Sequence, residues 1–199
     1  MLSFPRMLNP APVLPTLLRP SELPAHGLTP ARFRRLVREG TLERVSRGVY
    51  LNPAVEFSEL LTLAEIFKRV PKAVVCLYSA LRLHEIGTQS PVDLWIAIDH
   101  KARLPKLDGY SVRVVRFSGR MMRHGVEERF ADGVPFRITS PARTVADCFR
   151  FRKFGLDLAL EALKETLRER KATVDQINEA ARACRIRSVL RPYMEAMLA

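Results

Sequence analysis

Leu28-Thr-Pro-Ala-Arg-Phe-Arg-Arg-Leu-Val-Arg-Glu-Gly-Thr-Leu-Glu-Arg-Val-Ser-Arg-Gly-Val-Tyr50 reads as one helix, a stop and a short hairpin, all rich in arginine. Thr29 has the side chain to cap a helix N-terminus, and Pro30 suits the first helical position. Leu28 and Phe33 have the spacing of a hydrophobic staple, and Gly40 falls where a left-handed stop is wanted. Between these signals Phe33, Leu36 and Val37 share one face, while Arg34, Arg35 and Arg38 lie largely off it. Leu42, Val45, Val49 and Leu51 then supply strand formers around Arg44, Ser46, Arg47 and Gly48. A winged helix-turn-helix needs this composition to hold a helix in a DNA groove and lay a hairpin along the phosphates. The competing reading is an exposed helix kept soluble by its charge. Such a face ordinarily mixes signs, whereas residues 32–38 hold four arginines and no acid.

The whole chain sets the frame. Its 199 residues suffice for one large domain or two small ones, and an apolar fraction of 47% excludes wholesale disorder. Net charge is +12, carried by 26 Arg and 7 Lys. Arginine forks suit phosphates and guanine edges, although a GC-rich genome produces the same bias. Residues 1–53 are net +5, residues 54–155 net +6 and residues 156–199 net +1, so the positive field belongs to the first three-quarters. Cys76, Cys148 and Cys184 are far apart, show no Cys-x-x-Cys spacing for a metal, and read as buried reduced thiols. Pro5, Pro10, Pro12 and Pro15 break any signal-peptide core or membrane span. These features predict a cytoplasmic protein with no membrane partner and a loosely ordered first dozen residues.

Outward from the opening stretch, residues 13–19 have room for a short first helix, and residues 21–27 for a cramped element and turn. A helix is expected from Glu59 to Val70, with Leu60, Leu63, Ala64 and Phe67 inward. The run Ala73–Tyr78 suits either a buried strand or the start of a helix, and Ser79–Glu85 reads as helix. Val92–Ile98 is the clearest strand, with Val92, Leu94, Ile96 and Ile98 alternating against Asp93, Trp95 and Ala97. Val112–Phe117, Val134–Ile138 and a stretch near Val126–Arg129 complete a small sheet. Ser140-Pro141 repeats the cap-plus-proline signal and opens a helix to about Phe151. The last quarter is helical. Leu156, Leu160, Leu163 and Leu167 form one stripe, and Ile177, Ala180, Ala181 and Cys184 another, behind a Thr173/Gln176 capping box. A final helix near Ser188–Leu198 carries Leu190, Met194, Met197 and Leu198.

Catalytic signatures are weak throughout. Phosphate-cradling, dinucleotide and nucleophile-elbow glycine motifs are missing, which leaves no cofactor to expect. His84-Glu85 lacks the second histidine of a zinc-protease helix, and His26, His84, His100 and His124 stand isolated, as surface or satisfied core residues do. Asp93 and Asp99 flank the best strand and raise a metal-dependent nuclease as an alternative. That chemistry also wants a further acid and a lysine, where Val112–Phe117 offers only arginines. Arg143 and Asp147 are four residues apart with Thr144 beside them, so they could form a polar site or, more simply, a helix-surface ion pair. Arg150, Arg152 and Lys153 extend the basic patch at the end of this helix.

With these segments in place, the chain resembles the AbiEi family of antitoxins from type IV toxin–antitoxin systems. The resemblance covers most of residues 20–170. It is carried by Leu42-Glu-Arg-Val-Ser-Arg-Gly-Val-Tyr50, by Ser79-Ala-Leu-Arg-Leu-His84 followed by Pro91 and the Val92–Ile98 strand, and by Ser140-Pro-Ala-Arg-Thr-Val-Ala-Asp147. It implies a protein that represses its own operon by binding inverted repeats in double-stranded DNA. It further implies a C-terminal domain that counters a nucleotidyltransferase-like toxin without a stable complex. The DNA contacts it implies are Arg32, Arg34, Arg35 and Arg38 of the helix and Arg44, Ser46 and Arg47 of the hairpin. Arg143, Thr144 and Asp147 form a possible polar site of the antitoxin domain. One departure stands out: the proline-rich start leaves little room for a full first helix, so the winged helix is either truncated or completed by another part of the chain.

The resulting expectation is an α/β protein of the α+β type without enzymatic activity. Its parts are a flexible N-terminus (1–12), a winged helix-turn-helix (13–53), and a mixed α/β domain with C-terminal helices (54–199). Besides the nuclease, a plain regulator whose C-terminal domain binds a ligand or another protein remains an alternative.

Overall fold

The computed structural model describes residues 14–88, 91–151 and 155–198. The expected flexible segment 1–12 and the basic residues Arg152 and Lys153 lie outside the described residues. The architecture is mixed α and β, with two sheets and helices interspersed. The chain divides into two compact units. One runs to Arg69 and includes Ala131–Val134, and the other comprises Val70–Phe130 and Pro135 onward.

In the first unit, strand β1 (Leu17–Leu18) leads into a 3-10 helix (Pro20–His26), helix α1 (Pro30–Arg38) and a hairpin of β2 (Glu43–Ser46) and β3 (Val49–Leu51). Helix α2 (Leu61–Arg69) follows. The sheet order is β1-β3-β2, with Leu17 opposite Leu51 and Leu18 opposite Tyr50. Residues 17–18 are therefore strand, where the sequence suggested a short helix. Two buried leucines pair with the hairpin in a contact more than thirty residues distant, which outweighs any local preference. The missing first helix is made good from downstream. Helix α2 packs on β1 and β3 and buries Leu63, Ala64, Ile66 and Phe67. Its far end is fastened to the start of the unit, since Arg19 donates to the Lys68 carbonyl at 2.8 Å and Lys68 pairs with Glu22 at 2.7 Å. The hairpin ends near residue 53, as the sequence marks it, but the compact unit extends to Arg69 for this reason.

The second unit is built on a five-stranded sheet of order β6-β5-β4-β8-β7. Its strands are β4 (Val74–Val75), β5 (Leu94–Asp99), β6 (Val112–Phe117), β7 (Val126–Ala131) and β8 (Val134–Thr139). Strand β4 runs antiparallel to β5 and parallel to β8, and β5 runs parallel to β6. Helix α3 (Leu77–Leu83) follows β4 directly, so the run 73–78 is both strand and helix start. The strict alternation expected for 92–98 is not what burial selects. Val92 precedes the strand and is 92% exposed, whereas Ile96, Ala97 and Ile98 are buried in succession. An interior strand covered on both faces needs apolar residues at consecutive positions.

Helices α4 (Pro141–Arg150), α5 (Leu156–Arg168), α6 (Val174–Ala183) and α7 (Arg187–Leu198) close this core. Their caps are the expected ones: Ser140 Oγ accepts from the Arg143 amide, and Thr173 and Gln176 form a reciprocal capping box. The buried face of α5 is Leu158, Ala159, Ala162, Leu163 and Thr166, while Leu156 is exposed. Of the leucine stripe read from sequence, Leu163 is fully buried, Leu160 and Leu167 pack partly buried against the core, and Leu156 alone is exposed. Helix α5 packs against α4, and Ala159 and Ala162 are among the residues it buries. On α6 the expected stripe of Ile177, Ala180, Ala181 and Cys184 is buried throughout, as are Leu190 and Met194 of α7. All three cysteines are free and buried. No helix among the described residues is long and apolar enough to cross a membrane.

Candidate nucleic-acid interface

Helix α1 is held by its capping and by one aromatic contact. The Thr29 hydroxyl accepts from the Arg32 amide at 3.2 Å, and Pro30 occupies the first turn. Phe33 is the buried residue of the helix and meets Tyr50 of β3 edge-on, with ring centroids 4.8 Å apart. Around them Leu18, Leu23, Leu28 and Leu42 form a small core, with Leu36 and Val37 at its margin. The 3-10 helix is joined to α1 by a tight turn, in which Leu28 donates to the Leu23 carbonyl at 2.9 Å. The two helices and the turn make a helix-turn-helix-like pair. Because Phe33 faces inward, residues one and five positions later, Arg34 and Arg38, are carried to the outer side.

Arg32, Arg34, Arg35, Arg38, Arg44 and Arg47 are all exposed. They are not equivalent. Arg35 is engaged by Glu39 at 2.8 Å, one turn further along, so part of its charge is already answered. Arg34, Arg38, Arg44 and Arg47 have no acidic partner among the described residues. In the hairpin Arg44 stands opposite Tyr50 and Ser46 opposite Val49, with a register shift between Arg44 and Ser46. Arg47 and Gly48 form the tip. Ser46 differs from the arginines, for its hydroxyl is buried without a hydrogen-bond partner.

The second candidate cluster is brought together and sealed. Arg143 is 1% exposed, and Thr144 and Asp147 are fully buried. Nε of Arg143 donates to Asp147 at 3.0 Å, and its Nη1 donates to the carbonyls of Met121 at 3.2 Å and His124 at 2.6 Å. The guanidinium lies 5.1 Å above the Phe117 ring. The Cys184 thiol donates to Asp147 at 3.5 Å. Burial pushes the Asp147 carboxyl above its ordinary range, and the Arg143 charge pulls against that rise. Thr144 shares a hydrogen bond with Thr139 at 2.8 Å and donates to backbone carbonyls of the turn. The pair is therefore interior, where the simpler sequence reading placed it on the helix surface. Spacing fixed the pairing, whereas burial follows from long-range packing by β6 and α6. Gly125 passes so close that a Cβ there would stand 2.9 Å from that of Arg143.

The remaining sequence candidates are also accounted for. His84 is buried, bonded through Nε2 to the Thr139 carbonyl at 2.6 Å and through Nδ1 to Arg129 at 3.0 Å. Arginine only donates, so Nδ1 accepts and Nε2 carries the proton. Burial lowers the pKa of this imidazole. Asp93 is bound by the Ser111 hydroxyl and the Arg113 guanidinium, and these hold its carboxyl below the usual range. Asp99 accepts from the Lys101 amide at 2.9 Å. Among the described residues no three His, Cys, Asp or Glu side chains converge as metal ligands. The contribution of α2 to the first unit is the element that sequence reading assigned elsewhere. Its amphipathic face was visible, but the Glu22–Lys68 tie that fastens it spans 46 residues.

Comparison with known proteins adds three findings. No curated protein matches the chain. The crystal structure of the RV2827C protein from Mycobacterium tuberculosis is similar in fold, with a TM-score of 0.55 and 15% identity, over 90% of this chain and 72% of that one. Residues 16–53 match the family described as transcriptional regulator, AbiEi antitoxin. The segment that carries the exposed arginines is thus similar to the AbiEi antitoxin family of transcriptional regulators, the family that the sequence resembles.

Proposed function

We propose that this protein is a DNA-binding antitoxin that represses its own operon and counters a nucleotidyltransferase-like toxin without forming a stable complex with it. The observation that carries the reading is the set Arg34, Arg38, Arg44 and Arg47. These are four exposed guanidiniums without acidic partners, on the helix and hairpin of a segment matched by a transcriptional-regulator family. The hairpin acts as a wing on the phosphates, and α1 enters the groove, where Arg34 and Arg38 meet phosphates or guanine edges. Arg32 and Arg35 flank that contact, and Ser46 shapes the hairpin rather than touching DNA. The protein acts in the cytoplasm as a binder, not an enzyme. Arg143, Thr144 and Asp147 contribute to the antitoxin domain by fixing α4, not by contact with a partner.

The test is a salt-titrated binding assay on the inverted repeats upstream of the gene, against a scrambled duplex. A preference of about a hundredfold or more at roughly 0.15 M salt is expected of an operator reader. Arg44→Ala with Arg47→Ala should flatten the log–log salt slope by about 0.9 for each lost phosphate contact, near 1.8 in all. Equal binding to both duplexes would remove this segment from sequence reading, and an unchanged slope would remove the hairpin from the interface. Co-expression with the neighbouring toxin gene then tests the antitoxin half: rescue of growth by the full chain is expected, and continued arrest would refute it.

A further inference from the structure

The C-terminal helices concentrate half of their positive charge at one corner. Residues 156–199 carry eight basic and seven acidic side chains, yet Arg182, Arg185, Arg187 and Arg191 fall in a stretch, 180–194, with no acid. These four arginines and Ser188 line one open basin of about 650 Å³ where α6 turns into α7. All four are exposed. The guanidiniums of Arg182, Arg185 and Arg187 have no partner among the described residues, and Arg191 meets only Glu195, at 3.4 Å in a pair about two-thirds exposed. Such a pair is worth little in water and is readily exchanged for a stronger anion.

Two features of the turn add to the charge. It is closed by Ile186 donating to the Ala181 carbonyl at 2.9 Å, with Arg185 at a left-handed φ of 58°. Glycine is the ordinary residue for that conformation, so the turn carries a guanidinium where none is needed for its shape. Helix α7 then opens with no acidic residue in its first turn, and Arg187 and Ser188 of that turn line the basin, adding the positive end of the helix dipole. No aromatic side chain lines it, so it offers no aromatic platform for a base.

We propose that the α6–α7 corner binds a small polyphosphate, two or three linked phosphates, recognised by charge and by guanidinium forks regardless of what carries it. Four crowded cations repel one another, and a ligand of three to four negative charges relieves that repulsion. A single phosphate, at about −1.5 to −2, answers only part of it. Free inorganic triphosphate and the tail of a nucleotide present the same chemistry.

The test is titration calorimetry on the full chain at fixed ionic strength, with inorganic triphosphate, ATP, CTP and orthophosphate. Triphosphate, ATP and CTP should bind once per chain with similar affinity, and orthophosphate about tenfold or more weakly. Arg185→Glu with Arg187→Glu should weaken triphosphate binding about tenfold or more, while Arg34→Glu with Arg38→Glu leaves it unchanged. Arg182→Gln with Arg191→Gln gives the same answer should the first pair disturb folding. Failure to bind at millimolar triphosphate, loss in the Arg34/Arg38 variant, or retention in both corner variants would overturn the proposal. Tighter binding of a single-stranded oligonucleotide at the same arginines would also overturn it, in favour of a strand-binding surface.

Discussion

Replacing Gly125 by alanine separates two costs that the structure assigns to one residue. Gly125 has a φ of 59°, and a Cβ built there stands 2.9 Å from Arg143 Cβ, 3.3 Å from its Cγ and 3.4 Å from Ser140 Oγ. The backbone is not free to retreat, because the Gly125 carbonyl accepts from the Ser140 amide at 2.9 Å. The adjustment must come from Arg143, whose guanidinium is fixed by Asp147 and two carbonyls. The left-handed backbone costs an L-residue roughly 1–2 kcal/mol. Overpacking a sealed site adds about 1–3 kcal/mol, for a total near 3 kcal/mol. At roughly 2–4 °C per kcal/mol, Gly125→Ala should melt about 6–12 °C below the parent. Gly109 supplies the control in the same unit, with a φ of 87° and nothing within 4 Å of its Cβ position. Gly109→Ala carries the conformational cost alone, about 1–2 kcal/mol, and should fall by roughly 2–8 °C, less than Gly125→Ala. Thermal unfolding followed by circular dichroism measures both. Equal losses in the two variants would refute the steric reasoning and with it the claim that Arg143 is immovable.

Three other expectations follow from named side chains. The lowered pKa of His84 means that the unfolded chain takes up a proton first as pH falls through the ordinary 6.5, so stability present at neutral pH should decline below that point. His84→Gln should flatten the decline, and an unchanged pH profile of unfolding would show that His84 does not cause it. Glu39→Gln frees Arg35, so DNA affinity should rise and the log–log salt slope steepen by up to about 0.9. A neutral result in filter binding would leave Arg35 outside the interface. Burial pushes the Cys184 thiol up to about 12, and Cys76 and Cys148 are also raised, so none should react with a disulfide reagent at pH 8 until the protein unfolds. Rapid labelling of the folded chain would contradict that burial.

What could be read from sequence was what is decided locally. Thr29-Pro30, Ser140-Pro141 and Thr173 with Gln176 set helix starts through atoms within three residues, and all three starts are where their caps put them. The four-residue spacing of Arg143 and Asp147 likewise predicted their contact. Burial could not be read in the same way. Whether that pair faces water depends on Phe117, Met121 and Cys184, which approach it from distant parts of the chain. Leu17 and Leu18 are strand because β3 lies beside them, and α5 buries Leu158, Ala159 and Ala162 beside Leu163 while Leu156 is left exposed. In the candidate interface the exposed arginines were legible from their excess of one sign. The Arg35–Glu39 pair and the buried Ser46 hydroxyl required the three-dimensional arrangement.

The dependence of the first unit on later residues has a bearing on its synthesis. A reader domain confined to residues 13–53 would be free to fold as soon as it left the ribosome. This one also packs α2, through Arg69, on its sheet, and it includes Ala131–Val134, where Asp132 accepts from the Ser58 amide at 2.7 Å. The last of its pieces is made 81 residues after the hairpin ends at 53, and that is about 4–16 s of translation at roughly 5–20 residues per second. During that interval the arginine-rich helix and hairpin have their own small core, Leu18, Leu23, Leu28, Phe33 and Leu42, but not the last piece of the unit. The nascent chain therefore completes the unit that carries its exposed arginines late, after most of the five-stranded sheet has been synthesised.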